Sequence, residues 1–277
     1  MTIVVAVSVA DGLILASDSA TTQSITLTDG HVDTINIWNS ANKIFNLRKG
    51  LALGAMTWGR ANFASISIAS HCKNLREILT NGGGTPHADA LDPTSYTVEE
   101  VAERVRDHFA ALYALEPVGV FGMLVGGYGS ADEKPSVWEI EISDQGVKLS
   151  QPWPSGEEGI FQQGQPEAIA RIVDGVSRSL PIALTRLGVD ADQADMYADA
   201  IRAEIGLPIV HLAMPLAEAI ELADFLVDAT IKFVRFTPGD AFVGGPVEVA
   251  ALTRHEGFKW VSRKHYYPAN LNPGVEP

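Results

Sequence analysis

The sequence predicts an α+β fold in which two antiparallel sheets lie face to face between pairs of helices, a four-layer αββα sandwich. Strands and helices come in blocks along the chain and do not alternate one for one, which argues against a doubly wound parallel sheet. Apolar runs near both ends read as hairpins, Ile3–Val9 with Leu13–Ser17 and Val247–Thr253 with Phe258–Ser262. The helical segments between them carry apolar residues in stripes, as covers for a sheet do.

Taken in order, IVVAVSV and LILAS are joined by Ala10-Asp11-Gly12, a turn signal. If Val9 pairs with Leu13, Val4 falls opposite Asp18 and Thr2 opposite Ala20, so Asp18 lies diagonally beside Thr2. Residues 21–40 are polar and turn-rich, with Asp29-Gly30 as a hairpin tip. Short strands follow at Lys43–Leu47 and Leu51–Met56. Helical periodicity runs from Trp58-Gly59 to Leu79 and stops at Gly82-Gly83-Gly84. A capping box, Thr97-Val98-Glu99-Glu100, opens a second helix with Val101, Val105 and Phe109 inward. Strands are expected at Val120–Val125, Ser136–Ile142 and Val147–Gln151. Helices are expected from Pro166, over 190–204, and from Pro215 to Phe233. No linker, repeat or low-complexity segment interrupts the chain, so residues 1–277 are read as one domain.

Composition narrows the function. The 277 residues are 46% hydrophobic and 19% charged, enough to bury a sizeable core. The net charge of −14, from 20 Lys+Arg against 34 Asp+Glu, would repel a phosphate backbone, so nucleic acid is not expected as a partner. No apolar run approaches the roughly 20 residues that span a bilayer, and Ile3–Val9 is too short for a signal peptide, so a cytoplasmic protein off the membrane is expected. The single cysteine, Cys72, excludes an internal disulfide framework and fits a reducing compartment. The histidines show no close metal-ligand spacing, so neither metal nor other cofactor is expected.

The chemistry begins at Thr2. Removal of Met1 would leave a threonine whose hydroxyl attacks while its own α-amine, with an unperturbed pKa of roughly 7.7–8.0, takes the proton. The segment Thr2–Ser19 (TIVVAVSVADGLILASDS) resembles the start of a mature proteasome β-type subunit, and likewise the bacterial two-ring proteasome-like peptidases and their ancestral-β relatives, all N-terminal nucleophile hydrolases. The offset from Thr2 to Asp18 matches the family's offset from catalytic threonine to acidic partner. Asn42-Lys43-Ile44-Phe45 matches its Lys-hydrophobic-Phe motif, putting Lys43 on the catalytic lysine. Leu51–Ala61 (LALGAMTWGRA) resembles the strand-to-helix turn that supplies the oxyanion-hole amide, here Ala55 or Met56. Asp240–Arg254 (DAFVGGPVEVAALTR) resembles the late Asp-x-x-x-Gly-Gly segment, putting Asp240 on the second catalytic carboxylate. Residues 21–40, 84–96, 184–206 and the tail from 263 are extra.

The resemblance implies an N-terminal nucleophile hydrolase fold and a threonine peptidase acting on peptides or unfolded proteins. It also implies a homo-oligomeric ring, with an ATPase unfoldase as a further partner. In this reading Lys43 is a cation beside Thr2, Asp18 orients it, and Asp240 fixes the amine or a water. Ala20 and Leu53 would line a specificity pocket. Two hydroxyls of the family pattern are missing, with Val243 and Gln163 at those places. A catalytically silent ring or scaffold subunit, or a related small-amide hydrolase, therefore stand as alternatives.

Each residue alone has a plainer reading. Asp18 would be a strand-end aspartate, Lys43 a solvated edge lysine and Asp240 a loop aspartate after Pro238-Gly239; only their joint spacing from Thr2 raises them above that. Cys72, beside His71 in one helix, reads as a buried structural thiol and not a nucleophile.

Overall fold

In the computed structural model, which describes residues 2–26, 32–83, 89–239 and 241–264, the run IVVAVSV forms a strand buried along its whole length, β1 (Ile3–Val9). A continuous apolar run suits a strand covered on both faces. It turns through Ala10 and Asp11 into β2 (Gly12–Ser17), also wholly buried. A polar hairpin follows, β3 (Thr21–Thr26) with β4 (Val32–Trp38), and then β5 (Ile44–Asn46) and β6 (Leu53–Gly59). A two-residue pair, β7 (Asn62–Phe63) and β8 (Ile66–Ser67), leads into α1 (Ile68–Asn81) and α2 (Val98–Leu115). Next come β9 (Phe121–Gly127), β10 (Ser136–Ser143), β11 (Gly146–Ser150) and β12 (Gly159–Gly164). Helices α3 (Glu167–Val173), α4 (Leu180–Arg186), α5 (Ala191–Ile205) and α6 (Leu216–Phe236) precede the closing hairpin of β13 (Glu248–Thr253) and β14 (Gly257–Ser262).

Ten of these strands make two antiparallel sheets, in the orders β12-β1-β2-β13-β14 and β11-β10-β9-β6-β5. Strand alternation divides the apolar residues into three layers. Ile3, Val5, Val7, Ile14 and Ala16 of the first sheet pack under α3 and α6, against Ile169, Ala223, Leu226 and Val227. Val4, Ala6, Leu13 and Leu15, on the opposite face, meet Met56, Trp58, Leu124 and Val137 of the second sheet. On the far side of that sheet Ala55, Phe121, Met123 and Val125 are covered by Leu75, Val101, Val105 and Phe109 of α1 and α2. Phe109 stacks on Phe121 with ring centroids 4.5 Å apart. Truncating an aromatic at such a place costs about 3–5 kcal/mol. The expected αββα sandwich is therefore the observed one.

Four details depart from the sequence reading. The first hairpin pairs Val9 with Gly12 and Val4 with Ser17, one residue off the expected register, because the turn uses Ala10 and Asp11 only. Helix α1 starts at Ile68 and not near Trp58: β6 runs on to Gly59, and the positive φ angles of Gly59, Ala64 and Ser65 break any helix before Ser67 caps α1 by accepting from the Ser70 amide. The stretch ending in Gln163-Gly164, for which no strand was expected, is the strand β12 paired with β1. Helix α4 was not expected at all. The Thr97 cap holds, its Oγ1 accepting from the Glu100 amide at 3.1 Å.

Candidate active site

Thr2 stands just before β1, with the strand parity of Val4 and Ala6, which face the second sheet. It is 8% exposed. Its main chain is held from the other flank by Gly164, at the end of β12. Gly164 has φ +102°, and a Cβ there would run into the carbonyl of Thr2, so only glycine fits.

Asp18 follows β2 and is fully buried. Its Oδ1 accepts from the Ile3 amide at 3.0 Å and from the Lys43 ammonium. Oδ2 accepts from the amides of Ala20 at 2.9 Å and Gly244 at 3.1 Å. The Asp18 amide in turn donates to the Ile3 carbonyl at 3.2 Å. The carboxylate thus ties the residue next to Thr2 to Lys43, with a donor for each of its four contacts. Lys43 precedes β5, and its carbonyl accepts from the Thr57 amide at 3.0 Å, which extends the ladder to β6. Lys43 is 5% exposed, and burial pulls the ammonium below the ordinary lysine range despite the opposing pull of Asp18.

Two clefts meet at Thr2. One, of about 500 Å³, is lined by Thr2, Lys43, Thr21, Thr57, Trp58 and Gly59, among others. The second, of about 680 Å³, lies between Thr2, Trp58, Glu141, Gln163 and Phe242. Gln163 donates to Glu139 Oε1 at 3.1 Å, and burial raises the Glu139 carboxyl above its ordinary range. Trp58 borders both clefts and packs on Phe161 at 5.3 Å between centroids.

The structure brings Thr2, Asp18 and Lys43 together; Asp240 and Met1 lie outside the described residues, as do Asp29-Gly30. Leu53 has the parity of Ala55, points to α1 and α2 and is enclosed in that apolar layer, away from both clefts. Ala20 is fully buried and contributes its amide to Asp18. Ala55 and Met56 sit mid-strand between β5 and β9, in register with Phe45 and Leu124, and border neither cleft. In β6 alternate amides point to β5; Thr57 donates to Lys43, so the next amide on that side, Gly59, points past the end of β5 towards the first cleft. Val243 packs in the layer under α6. Gly164, Trp58 and Gly59 were missed as site residues; only the lone glycines carried a signal, and a glycine is too common to single out. Cys72 is a free, buried thiol in the layer under α1. Among the described residues no group of three His, Cys, Asp or Glu is placed to hold a metal, and no helix is long and apolar enough to cross a membrane.

No protein-family model matches the chain, and no curated protein matches it in sequence. Solved structures do match. One is Anbu (ancestral beta-subunit) from Yersinia bercovieri, at TM-score 0.54 and 17% identity, covering 96% of this chain and 89% of that one. Another is Anbu from Hyphomicrobium sp. strain MC1, at TM-score 0.56 and 16% identity, covering 97% and 91%. A Gly-1 mutant of the Hyphomicrobium protein matches at TM-score 0.54 and 18% identity, covering 98% and 91%. With both sheets, their helical covers and the strand order on the page, the fold is the proteasome-like N-terminal nucleophile hydrolase fold of these ancestral beta-subunits.

Proposed function

We propose that this chain is a threonine-type N-terminal nucleophile hydrolase that cleaves peptide bonds, with Thr2 as nucleophile once Met1 is removed. The observation that carries the reading is the buried Asp18–Lys43 pair, bonded to the Ile3 amide directly after Thr2 and opening on the cleft that Thr2 lines. A buried ion pair is a poor source of stability compared with apolar packing, so its place beside a hydroxyl calls for a chemical reason.

In the proposed cycle, Thr2 Oγ attacks the substrate carbonyl carbon and its proton passes to the Thr2 α-amine. The tetrahedral oxyanion collapses, the C–N bond breaks, and the departing amine takes the proton from the α-amine. This leaves an ester on Thr2. Water, deprotonated by the same amine, adds to the ester carbonyl; the C–O bond then breaks, Oγ recovers its proton and the acid leaves. Lys43 offsets negative charge developing at Oγ, and Asp18 holds Lys43 in place. Asp240 is assigned to the terminal amine or the water. Alternation in β6 supports the Gly59 amide, in place of Ala55 or Met56, as the oxyanion donor; such a donor is worth about 2.7–4 kcal/mol in the transition state.

The whole chain acts as one such unit in a homo-oligomeric ring, on peptides or unfolded chains, and a folded substrate would need an ATPase unfoldase. Incubation with a peptide epoxyketone, which reacts with both hydroxyl and free amine, followed by intact mass spectrometry, tests the centre of this reading. The expected species is lighter by one methionine and heavier by one inhibitor. A chain that keeps Met1 and takes up no inhibitor overturns it in favour of a silent ring subunit, the reading that Val243 and Gln163 in place of two hydroxyls would then explain.

A further inference from the structure

A second buried ion pair lies behind the first. Lys264, two residues past β14, turns its side chain inward to Glu248 Oε2, and its amide donates to Glu248 Oε1 at 3.3 Å. The Lys264 ammonium also donates to Ser19 Oγ at 2.9 Å and to the Ala41 carbonyl at 2.7 Å. Three acceptors satisfy its three N–H bonds. The two side chains are 8% and 1% exposed. Ser19 is the residue after Asp18, and Ala41 lies two before Lys43. The Ala41 amide donates to the Ser19 carbonyl at 2.9 Å, and Ser19 Oγ donates to the Pro246 carbonyl at 2.6 Å. Lys264 therefore closes a ring of bonds around the two segments that carry Asp18 and Lys43. An apolar pair would fill the same space with less desolvation, so packing alone does not account for two charges here.

We propose that Lys264 is a positioning residue for the site, clamping the Asp18 and Lys43 segments together through Ser19 and Ala41 while Glu248 balances its charge. Its effect on the rate rests on the reading of Thr2 as nucleophile; the clamp itself does not. Among the described residues, the charged groups that act on Lys43 are Asp18, Lys264 and Glu248. Those that act on Lys264 are Glu248, Asp18 and Arg263. Lys264 pushes the Lys43 ammonium towards losing its proton and Glu248 pulls the other way.

The test uses the full chain as it assembles. The pH dependence of Lys43 acetylation by acetic anhydride, read by peptide mass, follows Lys43 whether or not the protein is an enzyme; the rate of epoxyketone adduct formation follows the chemistry. Lys264→Met should move the acetylation profile to higher pH and Glu248→Gln should move it to lower pH, because the first variant removes a cation that favours proton loss from Lys43 and the second removes an anion that opposes it. Adduct formation by Lys264→Met should slow about tenfold or more, the effect of a small loss of alignment, and Lys264→Arg should restore the acetylation profile. Opposite shifts with a slowed adduct support the clamp; wild-type profiles in both charge variants overturn it. If the unaltered protein forms no adduct, the nucleophile reading fails and acetylation alone decides Lys264. Should Lys264→Met not fold, the double replacement Lys264→Gln with Glu248→Gln removes both charges together. It should slow adduct formation with the acetylation profile nearly unmoved, and a wild-type rate there overturns the proposal.

Discussion

Asp18 and Lys43 form an ion pair inside the protein, and the carboxylate's remaining acceptor positions are filled by the backbone amides of Ile3, Ala20 and Gly244. The pair is fixed by main chain on the Asp18 side, so it depends on the fold and not on side-chain rotamers alone. That makes it rigid, and it makes each partner costly to remove.

Asp18→Asn should lower stability by about 3–5 kcal/mol, the usual cost of stranding one member of a buried pair. The loss should shrink as pH rises, because Lys43 without its counter-charge can shed its proton. Urea unfolding of the variant at neutral and alkaline pH checks both statements.

Lys43 itself titrates below the unfolded lysine value of 10.5 because burial disfavours the ammonium. Between that lowered value and 10.5 the unfolded chain binds the proton and the folded one does not, so the contribution of Lys43 to stability rises with pH across this window and is lost as pH falls through it. The stability advantage of the unaltered protein over Lys43→Met should therefore grow on the alkaline side. Denaturant midpoints measured across that range read it directly, and a flat difference would contradict the lowered titration.

Gly164→Ala should be far worse than Gly146→Ala. Both glycines have positive φ, +102° and +117°, so the conformational cost is shared. A Cβ at Gly146 meets open space, whereas at Gly164 it meets the Thr2 carbonyl. The conformational strain alone is of order 1–3 kcal/mol. Gly146→Ala should lose that and keep its adduct rate; Gly164→Ala should lose more and also displace Thr2, abolishing epoxyketone uptake.

Cys72 is 3% exposed, and burial pushes its thiol well above the ordinary range. Iodoacetamide at mildly alkaline pH should leave the folded chain unalkylated and modify it fully in denaturant. Alkylation of the folded protein with loss of adduct formation would contradict the reading of Cys72 as a structural thiol.

Much of this was legible from residue types. The two sheets and the long helices follow from apolar period and caps such as Thr97; Asp18 was read beside Thr2 from the spacing of the first hairpin, and Lys43 only from the Asn42–Phe45 motif of the resemblance. What failed was local. One residue more or less in the Ala10-Asp11 turn leaves the hydrophobic run unchanged but shifts every partner by one, and Asp18 still reaches the chain start because its carboxylate bonds main chain there. Leu53 was placed in the pocket from the resemblance alone, whereas strand parity sends it to the helical layer. The helix onset was set ten residues early because Ala64 and Ser65 are residues a helix also accepts, and only their positive φ angles break it. Lys264 and Glu248 carried no signal, since a charged residue at a chain end is ordinarily solvated and only tertiary enclosure makes it otherwise.

The bonds from Gly244 to Asp18 and from Lys264 to Ser19 join residues 226 and 245 positions apart. A chain still on the ribosome holds Thr2, Asp18 and Lys43 early in synthesis but cannot lock them until residue 264 has emerged and the last hairpin has docked. Contacts of such long range form late. An unfinished or truncated chain therefore leaves Thr2 without its buried neighbours, and in the proposed reading the order of synthesis keeps the site unassembled until residue 264 is in place.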